Sequence, residues 1–558
     1  MTEIVLKDFQ KPHYKKLVDI ATDHCCVLDV SKPGLGKSII ASLFAKESGV
    51  KSGLVICPTN IEPDWNQRII SYKLPISKII SYQSLRGTIE CQPKHGLLFR
   101  DSYGNFHPTP NLCSMIENGF ILILDEIMYI KNNCDQSKAV KAIASYITRR
   151  MMTKPYPKIK SYIYSISSSP FDSEESTIQY FITMGIITNS KLYDKISCSL
   201  LGASDLFNYS SFFNKKEVDY ILSHNEISSR TISNLCYKVC KDILLPIMSS
   251  AMIKNEEKKH AKQSIFYGYF DIPKEGHDLI KLGISMIHKS MKKKDNPELT
   301  SDKNEELINL FSCISLNSDP EKHNINTFDF EKMGGITHGM ITIQSAKSLY
   351  IVVPLVKKIF ASVHNVKIVL FFDNKNPLKI AEQHLSEFNP VSITGERSKD
   401  ERKTIIDKFQ EANCDSRLLL FISSLGESGI ELDDTSGNYP RIGIGMPGFS
   451  MVKILQIAGR FNRENTKSNS LFFWVYSKSD EYCEQSVINS IERKSKVLCD
   501  TLNNDIITPN MYKKMDESEI NDFNELLRNA GTEIKPVVKE QVIKKKVIYI
   551  ESSCPSLF

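Results

Sequence analysis

The segment Ser31-Lys32-Pro33-Gly34-Leu35-Gly36-Lys37-Ser38 has the residue types that hold a polyphosphate. Glycines at 34 and 36 let backbone N–H groups turn toward an anion. Lys37 supplies a mobile positive charge, and the Ser38 hydroxyl, at a helix start, can ligate magnesium. Such loops normally open with Gly, and this chain has Ser31 there. A glycine turn capping an ordinary helix would look the same in isolation. The context favours phosphate. An apolar run from Cys25 to Val30 precedes the loop, a helix-like stretch to Glu47 follows it, and a second apolar run spans Gly53 to Cys57. That succession is strand, glycine loop, helix, strand.

Two further groups of residues complete a hydrolytic set. The apolar run Phe120–Leu124 leads into Asp125-Glu126, which sets two carboxylates at a sheet edge. One can hold magnesium and the other can polarise an attacking water. Acidic pairs after strands are also common as solvated turns, so this pair gains meaning only together with Lys37. Far downstream lies Gln456-Ile457-Ala458-Gly459-Arg460-Phe461-Asn462-Arg463. Its i,i+3 spacing is expected to bring both arginines to one helix face, as cations that stabilise charge spreading over a transferred phosphoryl group. Arginines on a surface helix would be ordinary; the glutamine and glycine at fixed offsets argue otherwise.

The elements needed to position these groups can be read from the apolar runs. Ile79–Ser81, Phe120–Leu124 and Tyr162–Ile166 alternate with amphipathic stretches, the pattern of a parallel sheet covered by helices. A first domain is expected over residues 1–190. Polar, lysine-rich stretches over 191–342 predict a helical insertion, with Glu256-Glu257-Lys258-Lys259 and Lys292-Lys293-Lys294 as exposed faces. Within it, Phe266-Tyr267-Gly268-Tyr269-Phe270 reads as a strand or core piece before a base-stacking platform. Alternation resumes over 343–504 with Lys367–Phe372, Val391–Ile393, Arg417–Ile422, Arg441–Met446 and Leu471–Tyr476, and with helices from Pro377, Lys399 and Ser450. Residues 505–558 predict a polar basic tail, partly disordered, containing Lys544-Lys545-Lys546.

Composition sets the bounds. A chain of 558 residues, 41% hydrophobic and 24% charged, can fill more than one core. A formal charge of +6, from 71 basic and 65 acidic residues, excludes a histone-like coat of charge and leaves any basic surface to local patches. The fourteen cysteines are scattered, and Cys236 with Cys240 lacks the gap and the second pair of a zinc ribbon, so reduced thiols are expected. The sequence has no basic start followed by an apolar stretch and no uninterrupted apolar run of spanning length. A soluble intracellular protein without membrane attachment is the expectation.

In order and spacing these residues resemble the superfamily-two helicase core and, within it, the Swi/Snf-like translocases. Leu6-Lys7-Asp8-Phe9-Gln10 resembles the adenine-side glutamine motif, and Ser31–Ser38 motif I. Val55-Ile56-Cys57-Pro58-Thr59 with Trp65 resembles motif Ia, and Ser81-Tyr82-Gln83-Ser84-Leu85-Arg86 the strand-contact segment after it. Asp125-Glu126-Ile127-Met128 stands at motif II, and Ile130-Lys131-Asn132 with Ser137 and Ala139 is similar to the Lys-Asn signature of the Swi/Snf-like group. Ser167-Ser168-Ser169-Pro170 occupies motif III. Later, Ser345-Ala346-Lys347, Gly395 with Arg402 and Phe409, and Ser423–Leu432 (motif V) follow in pattern, and Gln456–Arg463 resembles motif VI closely. Three departures stand out: Ser31, Ile127-Met128 in place of Ala-His, and Ser-Ser-Ser-Pro in place of Gly-Thr-Pro or Ala-Thr-Pro.

The resemblance implies an α/β fold of two tandem RecA-like parallel-sheet domains with a helical insertion between them, using ATP and Mg2+. It implies that Gln10 selects adenine and that Ser31, Lys32, Pro33, Gly34, Leu35, Gly36, Lys37 and Ser38 hold the phosphates, with Ser38 and Asp125 on magnesium. Glu126 would activate water, and Gln456, Arg460 and Arg463 would sense the γ-phosphate. Thr59, Arg86 and Ser424 are its candidates for the nucleic-acid backbone. The implied function is ATP-driven movement along nucleic acid, with duplex DNA preferred and protein partners in transcription, replication or repair left open. A strand-separating DNA or RNA helicase and a catalytically silent nucleic-acid-binding scaffold are the competing readings. Lysine-, isoleucine- and asparagine-rich usage is compatible with a large DNA virus as source.

Overall fold

The computed structural model describes residues 3–32, 34–87, 93–153, 157–171, 173–187, 193–194, 199–200, 236–252, 261, 263–292, 336–411, 416–423, 430–446, 451–463, 466–477, 491, 493–497, 512–516 and 523–529. Its first part contains β1 (Cys26–Asp29), β2 (Ser52–Cys57), β3 (Lys78–Ser81), β4 (Leu98–Arg100), β5 (Phe106–Pro108), β6 (Phe120–Asp125), β7 (Tyr162–Ile166), β8 (Tyr193–Asp194), β9 (Ser199–Leu200) and β10 (Ser249–Ser250). Among the described residues, six of these form one parallel sheet in the order β10-β1-β7-β6-β2-β3. Strands β4 and β5, and β8 and β9, make two small antiparallel pairs. Every residue of β1, β6 and β7 is buried, which is why these strands read as unbroken apolar runs without alternation. Apolar clusters lie on both faces of the sheet. Ile163, Leu122 and Leu124 belong to one; Val27, Ile121, Ile123 and Tyr164 belong to the other, with helices α1 (Gln10–Asp23) and α2 (Lys37–Glu47).

The second sheet is built from β11 (Gln263–Phe270), β12 (Lys367–Phe372), β13 (Val391–Ile393), β14 (Leu418–Ile422), β15 (Arg441–Gly445), β16 (Ser470–Ser477) and β17 (Tyr512–Asp516). Their order is β13-β14-β12-β15-β16-β11-β17, and all pairings are parallel. Its faces are also covered by two apolar clusters. Aromatic residues fill one of them, where Phe371, Phe421, Phe461, Phe472 and Trp474 meet ring to ring. The two parallel α/β units expected from the apolar runs are therefore present.

The boundaries differ from expectation in two places. Residues of the expected helical insertion 191–342 enter both sheets: β10 lies beside β1, and β11 lies between β16 and β17. Phe266 stacks on Phe473 within the second core, in keeping with a core strand. The segment still supplies helices, because Lys274–Lys292 packs against Ile336–Lys347. Part of the expected tail 505–558 is also structured. β17 extends the second sheet, and the helix Phe523–Asn529 buries Phe523 against Phe473. Burying Phe523 and Leu527 offsets the entropy of ordering this polar stretch, which composition alone did not indicate. The basic runs at 256–259, 293–294 and 544–546 lie outside the described residues.

Among the described residues one helical stretch, His338–Ser362, is long and apolar enough by composition to cross a membrane, and most of it is buried inside the protein. Its residues Ala346, Val352, Val356 and Ile359 belong to the core of the second sheet. Buried core helices satisfy the same length and composition test. Cys236 and Cys240 are buried in the first core.

Candidate nucleotide site

The phosphate loop leaves β1 and ends at α2, whose first residue is Lys37. Gly34 and Gly36 have φ of +79° and +90°, a region that disfavours side chains, so the loop's turn depends on glycine at both positions. Gly36 caps α2, and its carbonyl accepts from the N–H groups of Ile39 and Ile40 at 3.0 and 3.1 Å. The first N–H groups of the helix are thus left to face the loop. Lys37 turns back into the loop, where its Nζ donates to the Ser31 carbonyl at 2.7 Å and the Lys32 carbonyl at 3.1 Å. Burial lowers the Lys37 pKa; the nearby charges of Asp29, Glu126 and Asp125 oppose that shift and Arg463 adds to it. Ser38 is the second residue of α2, at the helix start where its hydroxyl was expected. Lys32 is exposed, and Pro33 lies outside the described residues.

Gln10 opens α1 and is buried against the loop. Its Nε2 donates to the Leu35 carbonyl at 2.8 Å, and its Oε1 accepts from the Lys7 N–H at 3.0 Å. A Cβ at Gly36 would lie 2.5 Å from Gln10 Nε2, so the second glycine also makes room for this contact.

Asp125 closes β6, and Glu126 follows it in the left-handed region at φ +60° and ψ +62°. This unusual backbone turns two consecutive carboxylates out of the alternating directions of a strand. Trp65 Nε1 donates to Asp125 Oδ2 at 2.9 Å, and the Tyr82 hydroxyl donates to the Asp125 carbonyl at 3.0 Å. Burial, with a smaller contribution from the adjacent Glu126 charge, raises the Asp125 pKa from 3.8 to about 6. Trp65, Lys37 and Arg68 hold it down in part. Trp65 is almost wholly buried in the helix after β2, and its role as a clamp on Asp125 is not visible in the sequence. The one available signal was that it is one of only two tryptophans in the chain and sits in the segment resembling motif Ia.

The second sheet reaches this site through Gln456 and Arg463. Gln456 Nε2 donates to Glu126 Oε2 at 3.1 Å and lies 2.7 Å from Met128 Sδ. A Cβ at Gly34 would stand 3.5 Å from Arg463 Cδ and 3.9 Å from its Nη1, so this side chain lies over the phosphate loop. The helix expected to carry both arginines ends earlier, at Ala458. Gly459 allows the chain to turn, and the N–H groups of Arg460 and Phe461 return to Ile457 and Ala458. Burial of the Phe461 ring against Phe371 and Phe472 fixes the turn. Arg460 consequently sits on a turn, and Arg463 on the irregular residues after it. Arg463 N–H donates to Thr466 Oγ1 at 2.6 Å, and that hydroxyl donates to Asp433 Oδ2 at 2.9 Å. Arg460 is buried, with Nη1 3.5 Å from the Ile430 carbonyl.

The structure thus brings together Gln10, the glycine loop, Lys37, Asp125, Glu126, Gln456 and Arg463. Thr59 is exposed just beyond β2, and Arg86 ends the short helix that follows β3. Both lie past the carboxyl ends of neighbouring strands, the edge where α/β sheets bind ligands. Ser424 lies outside the described residues. The residues fit a magnesium-nucleotide: a turned glycine loop, an inward lysine and a buried carboxylate converge. Among the described residues no three His, Cys, Asp or Glu side chains come together as a metal cage. Magnesium bound to nucleotides needs only one or two carboxylates besides phosphate and water.

Comparison with known proteins bears on the second sheet. Residues 352–465 match the helicase conserved C-terminal domain. An 85-residue stretch is 31% identical to a provisionally named ATP-dependent RNA helicase of Acanthamoeba polyphaga mimivirus, covering 15% of this chain and 16% of the relative. Two parallel-sheet α/β units thus lie in tandem, and the second carries the stretch similar to the helicase conserved C-terminal domain.

Proposed function

We propose that this chain is an ATP-driven nucleic-acid motor that couples hydrolysis at the cleft between its two sheets to movement along DNA. The observation that carries the reading is the bipartite site: Gln456 of one sheet touches Glu126 of the other, and Arg463 lies over Gly34. A nucleotide in the loop would displace Lys37 from the carbonyls of its own loop and draw it onto the phosphates. Gln10, seated beside the loop, would meet the adenine. Glu126 would take the proton of the attacking water, held in orientation by Gln456. Arg463, with Arg460 behind it, would neutralise charge on the γ-phosphate from the opposite side. Ser38 and Asp125 would hold magnesium, whose charge would help to neutralise the phosphates. Closing the sheets on ATP and opening them after hydrolysis moves the two halves relative to a bound strand. Thr59, Arg86 and Ser424 are the candidates for gripping its backbone. Contacts of that kind go to phosphate and sugar, so sequence preference should be low and salt sensitivity high.

The similarity to the Swi/Snf-like translocases favours duplex DNA as the track. The mimivirus relative is named for RNA, and this supports a second reading in which the chain separates RNA strands. Steady-state ATPase measured with duplex DNA, single-stranded DNA and RNA at equal nucleotide concentration tests both. Stimulation chiefly by duplex DNA is expected, and stimulation chiefly by RNA would replace the first reading with the second. Lys37→Ala should abolish the stimulated activity. Wild-type protein that binds polymer without hydrolysing ATP would instead identify a silent scaffold.

A further inference from the structure

Beneath the phosphate loop lies a buried polar cluster that the hydrolytic scheme leaves without a role. Asp29 ends β1 and is fully buried. Its Oδ1 accepts from the Ser31 N–H at 3.0 Å and from the Ser31 hydroxyl at 2.5 Å. The Ser31 oxygen in turn accepts from the Met252 N–H at 2.8 Å, just beyond β10. His13, also buried, has Nε2 3.2 Å from Asp29 Oδ2 and 3.4 Å from Ser31 Oγ, and Nδ1 3.2 Å from the Ser250 hydroxyl.

The proton inventory assigns these contacts. The Ser31 proton is committed to Asp29, so the His13 ring proton belongs on Nε2, where the Ser31 oxygen accepts it. Nδ1 then accepts from the Ser250 hydroxyl. Asp29 Oδ2, though 3.2 Å from Nε2, has no in-line donor. A buried carboxylate with a poorly satisfied oxygen is costly, and a core of this kind would favour an apolar residue unless the charge had a use. Its neighbour across the loop is Lys37, whose ammonium Asp29 favours more than either Glu126 or Asp125 does.

Helix α1 gives the second half of the argument. Gln10 and His13 are three residues apart and both buried, so one helix face carries both. Gln10 holds the loop at Leu35, and His13 holds the base of the loop at Asp29 and Ser31. The loop is therefore gripped at two points by one rigid helix and at a third by the segment 249–252. Ser31, the departure from the usual opening glycine, supplies the hydroxyl that joins β1 to that segment.

We propose that His13 and Asp29 are positioning residues for nucleotide binding, which act through Ser31 to hold the opening turn of the phosphate loop against α1 and β10. This rests on the loop being the ATP site. A loop held in its binding shape costs less to order when nucleotide arrives, so the effect belongs to affinity more than to turnover.

The test uses the full chain, with a fluorescent ATP analogue for binding and ATP for turnover. Ser31→Gly brings the loop closer to the usual pattern, yet it should weaken binding, as should His13→Ala. Each is expected to raise the Kd for the analogue and the KM for ATP by about tenfold or more, the worth of a buried hydrogen bond or two. The kcat at saturating ATP should stay within about threefold, because Asp125, Glu126 and Arg463 are untouched. His13→Gln, which keeps a donor and an acceptor, should recover part of the loss. A purely structural role would lower the active fraction and leave Kd and KM of the folded remainder unchanged, and that result overturns the proposal. Should His13→Ala fail to fold, Ser31→Gly alone decides. Failure of wild-type protein to bind the analogue, or binding unchanged by Lys37→Ala, overturns the ATP-site reading itself.

Discussion

Asp125 concentrates the conflict between stability and chemistry at a single residue. The folded protein raises its pKa from 3.8 to about 6, chiefly by burial. The folded state therefore holds a proton on this carboxyl that the unfolded chain releases, and the stability from that difference is present at low pH. It is lost as pH rises from about 4 to 6. Above that window the buried charge costs about 3 kcal/mol, a shift of roughly two pKa units at 1.36 kcal/mol each. Asp125→Asn keeps the shape and an acceptor for Trp65 and removes the charge. In protein free of nucleotide and magnesium it should raise the melting temperature at pH 8 by several degrees while abolishing ATP hydrolysis. Differential scanning calorimetry across pH checks the sign: the gap between variant and wild type should open between about pH 4 and 6 and stay constant above. A gap independent of pH would show that ionisation of Asp125 is not what the variant relieves.

At the scale of elements, most strands of both sheets were legible because parallel strands buried on both faces stand out as apolar runs between amphipathic helices; β10 and β17, in segments read as insertion and tail, were not. The phosphate loop, the acidic pair and the Gln456–Arg463 segment were legible from residue type and spacing. Strand order was not, since apolar runs do not say which neighbours they take. β11 was recognisable as a core piece from its aromatic residues, but its pairing with β16 and β17 depends on contacts with residues hundreds of positions away. The His13, Asp29 and Ser31 cluster left no signal, because isolated polar residues carry no periodicity. Arg463 lies beside the glycine loop, but a turn and not the expected helix delivers it. The helix pair Lys274–Lys292 and Ile336–Lys347 shows how closely the former insertion is built into the second unit. The helices cross at Gly283 and Gly339, where a Cβ on Gly339 would stand 2.4 Å from the Gly283 carbonyl oxygen. Gly339→Ala should therefore push the helices apart and cost about 1–3 kcal/mol, as overpacking of a tight core does. Thermal unfolding followed by circular dichroism measures this, and an unchanged melting temperature would mean that the crossing is looser than the contacts indicate.

For the whole molecule, the decisive feature is that the proposed hydrolytic site is divided between the two units. The first holds the glycine loop and both carboxylates; the second contributes Gln456 and Arg463. If cleft closure drives chemistry, residues from the second sheet act more strongly on the transition state than on the bound nucleotide. Arg463→Ala separates these effects. Its guanidinium lies over Gly34, where charge on the γ-phosphate would grow during transfer, whereas Lys37 and the loop amides would already hold the ground-state phosphates. The variant should lose about 10³-fold in kcat, within the range known for arginine fingers, and retain the affinity of wild type for a fluorescent ATP analogue to within a few fold. Stopped-flow binding beside steady-state turnover reads both quantities. Equal losses in affinity and turnover would assign Arg463 to uniform binding of nucleotide, and the cleft would then be a binding site shared by two domains, with closure no longer the step that carries catalysis.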